Sequence, residues 1–262
     1  MADIPTSDIR VHSATTDGVA VLTLSNPARR NAMNLELSGL LAAAVGAAVA
    51  DPEVGAIVVT GEDPGFCAGG DLAELATAEP ATLRSVYAGF LAVADCPLPP
   101  VAAVNGAAVG AGLNLALAAD VRLAGPKARF DARFLPLGLH PGGGYTWMAH
   151  RILGAQGAAA LTLFGEVVDA AEAERIGLVH RAVDDVVTAA IEMAARAAAN
   201  PRDLAVTTKA TMRLTSTMST QAEASEVEVR AQAESVHSEE FRTRLAALQA
   251  KIRGSAAAIG RV

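Results

Sequence analysis

Two stretches carry residue types at spacings that could do chemistry. They are Gly61-Glu62-Asp63-Pro64-Gly65-Phe66-Cys67-Ala68-Gly69-Gly70-Asp71-Leu72 and Ala103-Val104-Asn105-Gly106-Ala107-Ala108-Val109-Gly110-Ala111-Gly112-Leu113-Asn114. Each follows an apolar run and leads into an Ala/Leu segment, so each reads as a glycine-bearing connection from strand to helix. Glycines there let a ligand lie directly against main-chain N–H groups, and a helix start adds unpaired donors. Two such donors converging on one oxygen would form an oxyanion hole, each worth about 3 kcal/mol in the transition state. The same segments would serve equally well as plain turns.

Other chemistries lack their residues. The chain contains no G-x-x-x-x-G-K-[ST] phosphate loop, no G-x-S-x-G elbow, no H-E-x-x-H and no C-x-x-C. His12, His140, His150, His180 and His237 are scattered, so no metal ligand set is expected. Cys67 and Cys96 cannot staple a framework. Cys67 has no identifiable basic partner and reads as a small buried side chain rather than a nucleophile.

Elements must position these loops. Val19 to Leu24 reads as a strand closed by Ser25-Asn26-Pro27, and Asn34 as the N-cap of a helix reaching Ala50. Val54 to Thr60 and Val101 to Val104 are apolar runs that suit strands buried on both faces. Gly110 to Ala119 reads as a buried helix, with short strands at Val121–Leu123 and Ala128–Phe130. The recurring order is strand, strand, helix, an α/β arrangement. From Pro201 the signals are helical only, over 201–215 and 221–253. This sets an expected core at 1–200 and a helical C-terminal region at 201–262.

The composition fits that frame. Of 262 residues, 52% are hydrophobic and 59 are alanine, while aromatics make up 3%, so small side chains must let elements pack closely. A net charge of −7 argues against nucleic acid as a partner. No apolar run is long enough for a membrane span, and Met1-Ala2-Asp3-Ile4-Pro5 has no secretory signature. A cytoplasmic protein is expected.

Four segments together resemble the enoyl-CoA hydratase/isomerase (crotonase) superfamily: Ser25–Asn34 (S-N-P-A-R-R-N-A-M-N), Gly65–Leu72 (G-F-C-A-G-G-D-L), Ala102–Asp120 and Ala128–Gly144. Gly165–Val179 resembles the family's stretch before its last strand. The resemblance implies a crotonase-like spiral of ββα units with a helical C-terminal trimerisation region, as a homotrimer or dimer of trimers. It implies a coenzyme A thioester as substrate or ligand, with no permanently bound cofactor and no metal. It also implies stabilisation of a thioester enolate. Carried over residue by residue, the oxyanion donors would be the N–H groups of Ala68 and Ala111. Ala68, Gly69, Gly70, Asp71, Leu72, Gly110 and Ala111 would line the ligand, and Arg29 or Arg30 would approach the CoA phosphates. Asp71 also reads as a helix cap.

The sequence departs from the family where acid and base should be. The hydratases' two glutamates fall, by register, on Asn114 and Phe134, and the aspartate of dienoyl-CoA isomerases and dehalogenases falls about at Gly142. Asparagine orients but does not move a proton, and phenylalanine does neither. His140 could act as acid or base, or simply hold the glycine loop; Tyr145 and Asp131 are weaker candidates. Trp147 and Met148 read as core or as cover for an acyl chain. Two functions remain expected: an acyl-CoA enzyme with reworked acid/base groups, or a non-catalytic acyl-CoA binding or carrier protein.

Overall fold

The apolar run from Val54 is apolar on both alternating faces, and the strand it forms (β3, Ala56–Gly61) is buried at every position. The computed structural model describes residues 9–259, with side chains to residue 253; Met1–Pro5, read above for a leader, lies outside them. The chain forms two compact units, one through Ala199 and one from Asn200.

In the first unit the elements run β1 (Arg10–Thr16), β2 (Val19–Ser25), α1 (Leu35–Ala50), β3, α2 (Leu72–Leu75), α3 (Pro80–Asp95), β4 (Pro100–Val104), β5 (Ala107–Val109) and α4 (Ala111–Ala118). They continue with β6 (Val121–Ala124), β7 (Arg129–Asp131), α5 (Tyr145–Thr162), β8 (Val168–Asp169), α6 (Ala170–Arg175), β9 (Arg181–Ala182) and α7 (Val186–Ala198). A six-stranded sheet has the order β1-β2-β3-β4-β6-β9, and a three-stranded sheet has β5-β7-β8. Beyond the antiparallel β1–β2 hairpin, the large sheet is parallel. Two units repeat cleanly: β4-β5-α4 and β6-β7-α5 each place the first strand in the large sheet and the second in the small one. This is the ββα spiral that the resemblance implied.

In the β3 turn of the spiral the second strand shrinks to isolated bridges. Cys67 pairs with Ala108 of β5 on one side, and Gly70 pairs with Met33 on the other. The first glycine loop is therefore a rudimentary strand held at both edges. Three asparagines of the Ser25–Asn34 segment pin its surroundings. Buried Asn31 donates to the carbonyls of Glu62 (2.7 Å) and Gly65 (2.8 Å). Asn26 donates to Ala32 O (3.1 Å), and Asn34 caps α1 by accepting from Leu37 N (2.8 Å).

The core explains the alanine content. Val19, Ala56, Val58, Val101, Ala103 and Leu123 of the sheet meet Val186, Ala190 and Ala194 of α7. Alanines on the inner face of α7 let it lie close to the strands. The second unit comprises α8 (Arg202–Thr215), α9 (Gln221–Val236) and α10 (Glu239–Ile259). The single helix expected over 221–253 is thus two. His237 closes α9, and the Ser238 hydroxyl accepts from Phe241 N (3.0 Å), restarting the chain as a capped helix. No helix among the described residues is long and apolar enough to cross a membrane.

Candidate functional site

Both glycine segments open onto one cavity of about 240 Å³. Ala68, Gly69, Gly70 and Leu72 come from the first loop, and Val109, Gly110, Ala111 and Asn114 from the β5–α4 segment. Phe134, Leu137, Leu139, His140 and Gly142 come from the stretch before α5. Helix α3 completes the wall with Leu83, Val86, Tyr87 and Phe90. These α3 residues carried no motif; the alternation of Val86, Phe90 and Val93 as a buried stripe was the only signal available.

The two segments touch directly. A Cβ on Gly112 would sit 2.1 Å from the Cys67 carbonyl oxygen, so only glycine lets the first turn of α4 approach the loop this closely. Hydrogen bonds sort the donors. The Ala68 N–H, expected as an oxyanion donor, points to the Arg30 carbonyl at 3.1 Å and is already engaged. Gly69 O accepts from Met33 N (2.7 Å), and Asp71 N donates to Met33 O (2.8 Å). In a parallel bridge these flanking bonds turn the middle residue's own N–H to the opposite edge, so Gly70 presents its N–H away from Met33. Neither the Gly70 N–H nor the Ala111 N–H has a partner among the described residues. Ala111 is the first residue of α4, where the N–H is unpaired by construction. On the first loop it is thus the Gly70 N–H, and not that of Ala68, that is left without a backbone acceptor.

The two positions expected to lack a carboxylate do lack one, and they differ in environment. Phe134 is buried, its ring 5.0 Å from that of Tyr145. Tyr145 in turn bonds Thr162 (3.1 Å), with burial pushing its hydroxyl pKa up, and it does not line the cavity. Asn114 is buried and donates from Nδ2 to Gly142 O at 2.8 Å. No carboxylate is among the residues lining the cavity. The nearby Asp131 is paired with Arg133 through Nε (2.7 Å) and Nη2. His140 is exposed at the cavity edge, with Nδ1 2.7 Å from Pro141 O. A carbonyl only accepts, so Nδ1 carries a proton in this bond, and Nε2 is the ring nitrogen that the bond does not engage.

The remaining expected contacts separate. Asp71 serves as the cap of α2, accepting from Ala73 N (2.8 Å) and Glu74 N (3.3 Å), and is not among the residues lining this cavity. Arg29 Nε stands 3.9 Å from the Asp71 carboxylate. Arg30 lines a neighbouring cavity of about 560 Å³ that shares Ala68, Val109 and Arg133 with the first. Trp147 is neither core nor cover: it is 62% exposed, with the Arg151 guanidinium 4.3 Å from its ring centroid. Met148 is buried. Among the described residues no group of three or more His, Cys, Asp or Glu side chains could hold a metal ion.

Cys67 is fully buried, and desolvation pushes its thiol up to about 11, hydrogen bonds to the Gly69 and Met33 backbone only partly opposing this. At pH 8 such a thiol is about one part in a thousand thiolate. Neither Cys67 nor Cys96, also buried, should react with iodoacetamide in the native protein, and both should react in denaturant. Prompt native labelling, read by peptide mass, would show that the loop opens.

Residues 14–253 match the family model described as enoyl-CoA hydratase/isomerase. A "Probable enoyl-CoA hydratase" of Mycobacterium tuberculosis is 54% identical over 241 residues, 88% of this chain and 94% of its own length. The 1,2-epoxyphenylacetyl-CoA isomerase of Escherichia coli is 36% identical over 176 residues, 64% of this chain and 67% of its own. Among solved structures, an enoyl-CoA hydratase from a Polaromonas species superposes with a TM-score of 0.85 at 30% identity, over 92% of this chain and 97% of the other.

Proposed function

The chain belongs to the enoyl-CoA hydratase/isomerase family, and from that premise we propose that it binds an acyl-CoA thioester in this cavity and stabilises the thioester's enolate. The carbonyl oxygen would sit between the N–H groups of Gly70 and Ala111. The observation that carries this reading is that two separate backbone segments each bring an unpartnered N–H to one largely apolar cavity. Such donors cost no reorganisation when charge develops on the oxygen. Arg30, beside the neighbouring cavity, suits the CoA phosphates, and Gly69 and Leu72 suit the pantetheine arm. His140 Nε2 is the candidate to take or return the α-proton.

Hydration is not the expected reaction. Asn114 and Phe134 cannot activate water, and an apolar lining without a carboxylate also favours a second reading, a binding or carrier protein that holds acyl-CoA without turnover. In α10, exposed Phe241, Leu245, Leu248 and Ile252 recur at spacings of four, three and four, a stripe suited to a helix partner. It suits self-association through this helix, and the trimer or dimer of trimers rests on the family resemblance.

The test is mass spectrometry of butanoyl-CoA incubated with the protein in heavy water. Deuterium at the α-carbon is expected. Binding without incorporation would select the carrier reading, and absence of both binding and incorporation would overturn the acyl-CoA reading itself.

A further inference from the structure

The chain holds few aromatic residues, one Trp, two Tyr and six Phe, and three of them, Tyr87, Phe90 and Phe134, line the acyl cavity. The ring pairs among the described residues stand there too. Tyr87 and Phe90, one turn apart on α3, have ring centroids 5.5 Å apart at 41°, and Phe134 is backed by Tyr145 at 5.0 Å and 58°. Phe90 and Phe134 are buried and Tyr87 is half-buried. Glycines let the main chain close on these rings. A Cβ on Gly143 would lie 2.4 Å from the Phe90 ring, and one on Gly142 would lie 2.3 Å from the Tyr87 hydroxyl oxygen. A Cβ on Gly110 would lie 3.8 Å from the Phe134 ring, so Phe134 stands beside the start of α4, next to the Ala111 N–H. The polar side chains of the wall gather at its margins. The Tyr87 hydroxyl and the Asn114 amide both meet the Gly142 segment, the amide through Nδ2 to Gly142 O at 2.8 Å. Arg133 is half-exposed and held by Asp131, and His140 is exposed. Ring and alkyl surface is what remains for an acyl group.

We propose that the acyl group this cavity takes is an arylacetyl group, its aromatic ring carried on the α-carbon and seated among Phe134, Tyr87 and Phe90. The inference rests on the acyl-CoA reading above. With the carbonyl oxygen on the Ala111 N–H, a substituent of the α-carbon is the first group to reach the Phe134 ring. Aromatic rings attract one another edge-to-face or offset, at centroid separations of about 4.5–7 Å, an attraction that a saturated chain does not share. The size agrees. A dry cavity of about 150 Å³ holds benzene, and this one has about 240 Å³. The chemistry agrees as well. No carboxylate is among the residues lining the cavity, and a single imidazole at its edge is modest equipment for taking the α-proton of a plain acyl thioester. An α-aryl group acidifies that proton. When the C–H bond breaks and the proton passes to His140 Nε2, the electron pair spreads over both the enolate and the ring; in exchange the proton returns to the same carbon.

The experiment is isothermal titration of the full-length protein with phenylacetyl-CoA, cyclohexylacetyl-CoA, 3-phenylpropanoyl-CoA and butanoyl-CoA, repeated with Phe134→Leu and Tyr87→Phe. Phenylacetyl-CoA is expected to bind about tenfold tighter than butanoyl-CoA and about threefold or more tighter than cyclohexylacetyl-CoA, whose saturated ring has no π-face. It should also bind tighter than 3-phenylpropanoyl-CoA, whose ring sits one carbon further out. The preference over cyclohexylacetyl-CoA should fall to near one in Phe134→Leu. It should stand in Tyr87→Phe, which keeps the ring and removes only the hydroxyl; its loss there would mean that the hydroxyl chooses the ligand, and would overturn the inference. Butanoyl-CoA binding as tightly as phenylacetyl-CoA, or the saturated ring as tightly as the aromatic one, would overturn it while leaving the acyl-CoA reading standing. Tighter binding of 3-phenylpropanoyl-CoA would overturn the placement of the ring on the α-carbon. Failure of all four to bind would instead strike the acyl-CoA reading. The wild-type comparison decides the matter even if a variant does not fold.

Discussion

Ala111→Pro should lower α-deuterium incorporation into butanoyl-CoA by about 10²- to 10³-fold, the loss associated with deleting one oxyanion donor. Main-chain donors usually resist mutagenesis, but this one sits at the first residue of α4 after Gly110. Proline suits that position: its fixed φ matches the helix, and the N–H it lacks has no helical partner to lose. The melting temperature should therefore change little, separating loss of the donor from loss of the fold. Ala111→Gly, which keeps the N–H, is the companion and should retain most of the exchange. If the folded proline variant exchanged at the wild-type rate, the thioester oxygen would not be bound at Ala111.

Gly112→Ala should destabilise the first unit by about 3 kcal/mol or more, lowering its melting temperature by roughly 10 °C. The new methyl would meet the Cys67 carbonyl oxygen at 2.1 Å and its carbon at 2.9 Å. Those atoms cannot retreat cheaply. Cys67 N donates to Ala107 O (2.9 Å) and Cys67 O accepts from Val109 N (3.0 Å), so moving the carbonyl breaks the bridge to β5. Gly46→Ala in α1 provides the contrast, since nothing lies within 4 Å of its Cβ position. It should gain about 0.5–1 kcal/mol from helix propensity. Thermal melts of both variants decide; a Gly112→Ala protein as stable as the wild type would mean that the two glycine segments are not in contact.

What could be read from the sequence divides along a physical line. Buried strands announced themselves by continuous apolar runs at Val54–Thr60 and Val101–Val104, and Asn34 and Asp71 announced helix starts because capping is local. The two glycine segments were legible as strand-to-helix connections, but spacing alone left them open to being plain turns, and only the resemblance to a family pointed to a ligand there. That the Gly70 N–H rather than the Ala68 N–H is left unbonded was not legible, since it depends on which edge Met33 and Arg30 occupy, residues more than thirty positions away. The wall from α3 was hidden for the same reason: Tyr87 and Phe90 resemble any amphipathic helix until the cavity is seen. Trp147 was misread because a lone tryptophan is usually buried, whereas here Arg151 covers its exposed ring. The break at His237–Ser238 escaped because serine within a polar helix is unremarkable until its hydroxyl is seen capping Phe241.

The Cys67–Ala108 and Met33–Gly70 bridges also bear on heredity. A donor that belongs to the main chain is present whatever side chain the gene encodes, short of proline. At Gly70, a new Cβ would meet only the end of the Leu75 side chain, at 2.9 Å, which can swing aside. On the proposed reading, side chains at Asn114 or Phe134 could change in descendant lineages while these two main-chain donors are handed down intact. A carboxylate gained or lost at either position would then be a single-codon change beside an unaltered main chain, so that on this reading binding and catalysis lie a short evolutionary step apart.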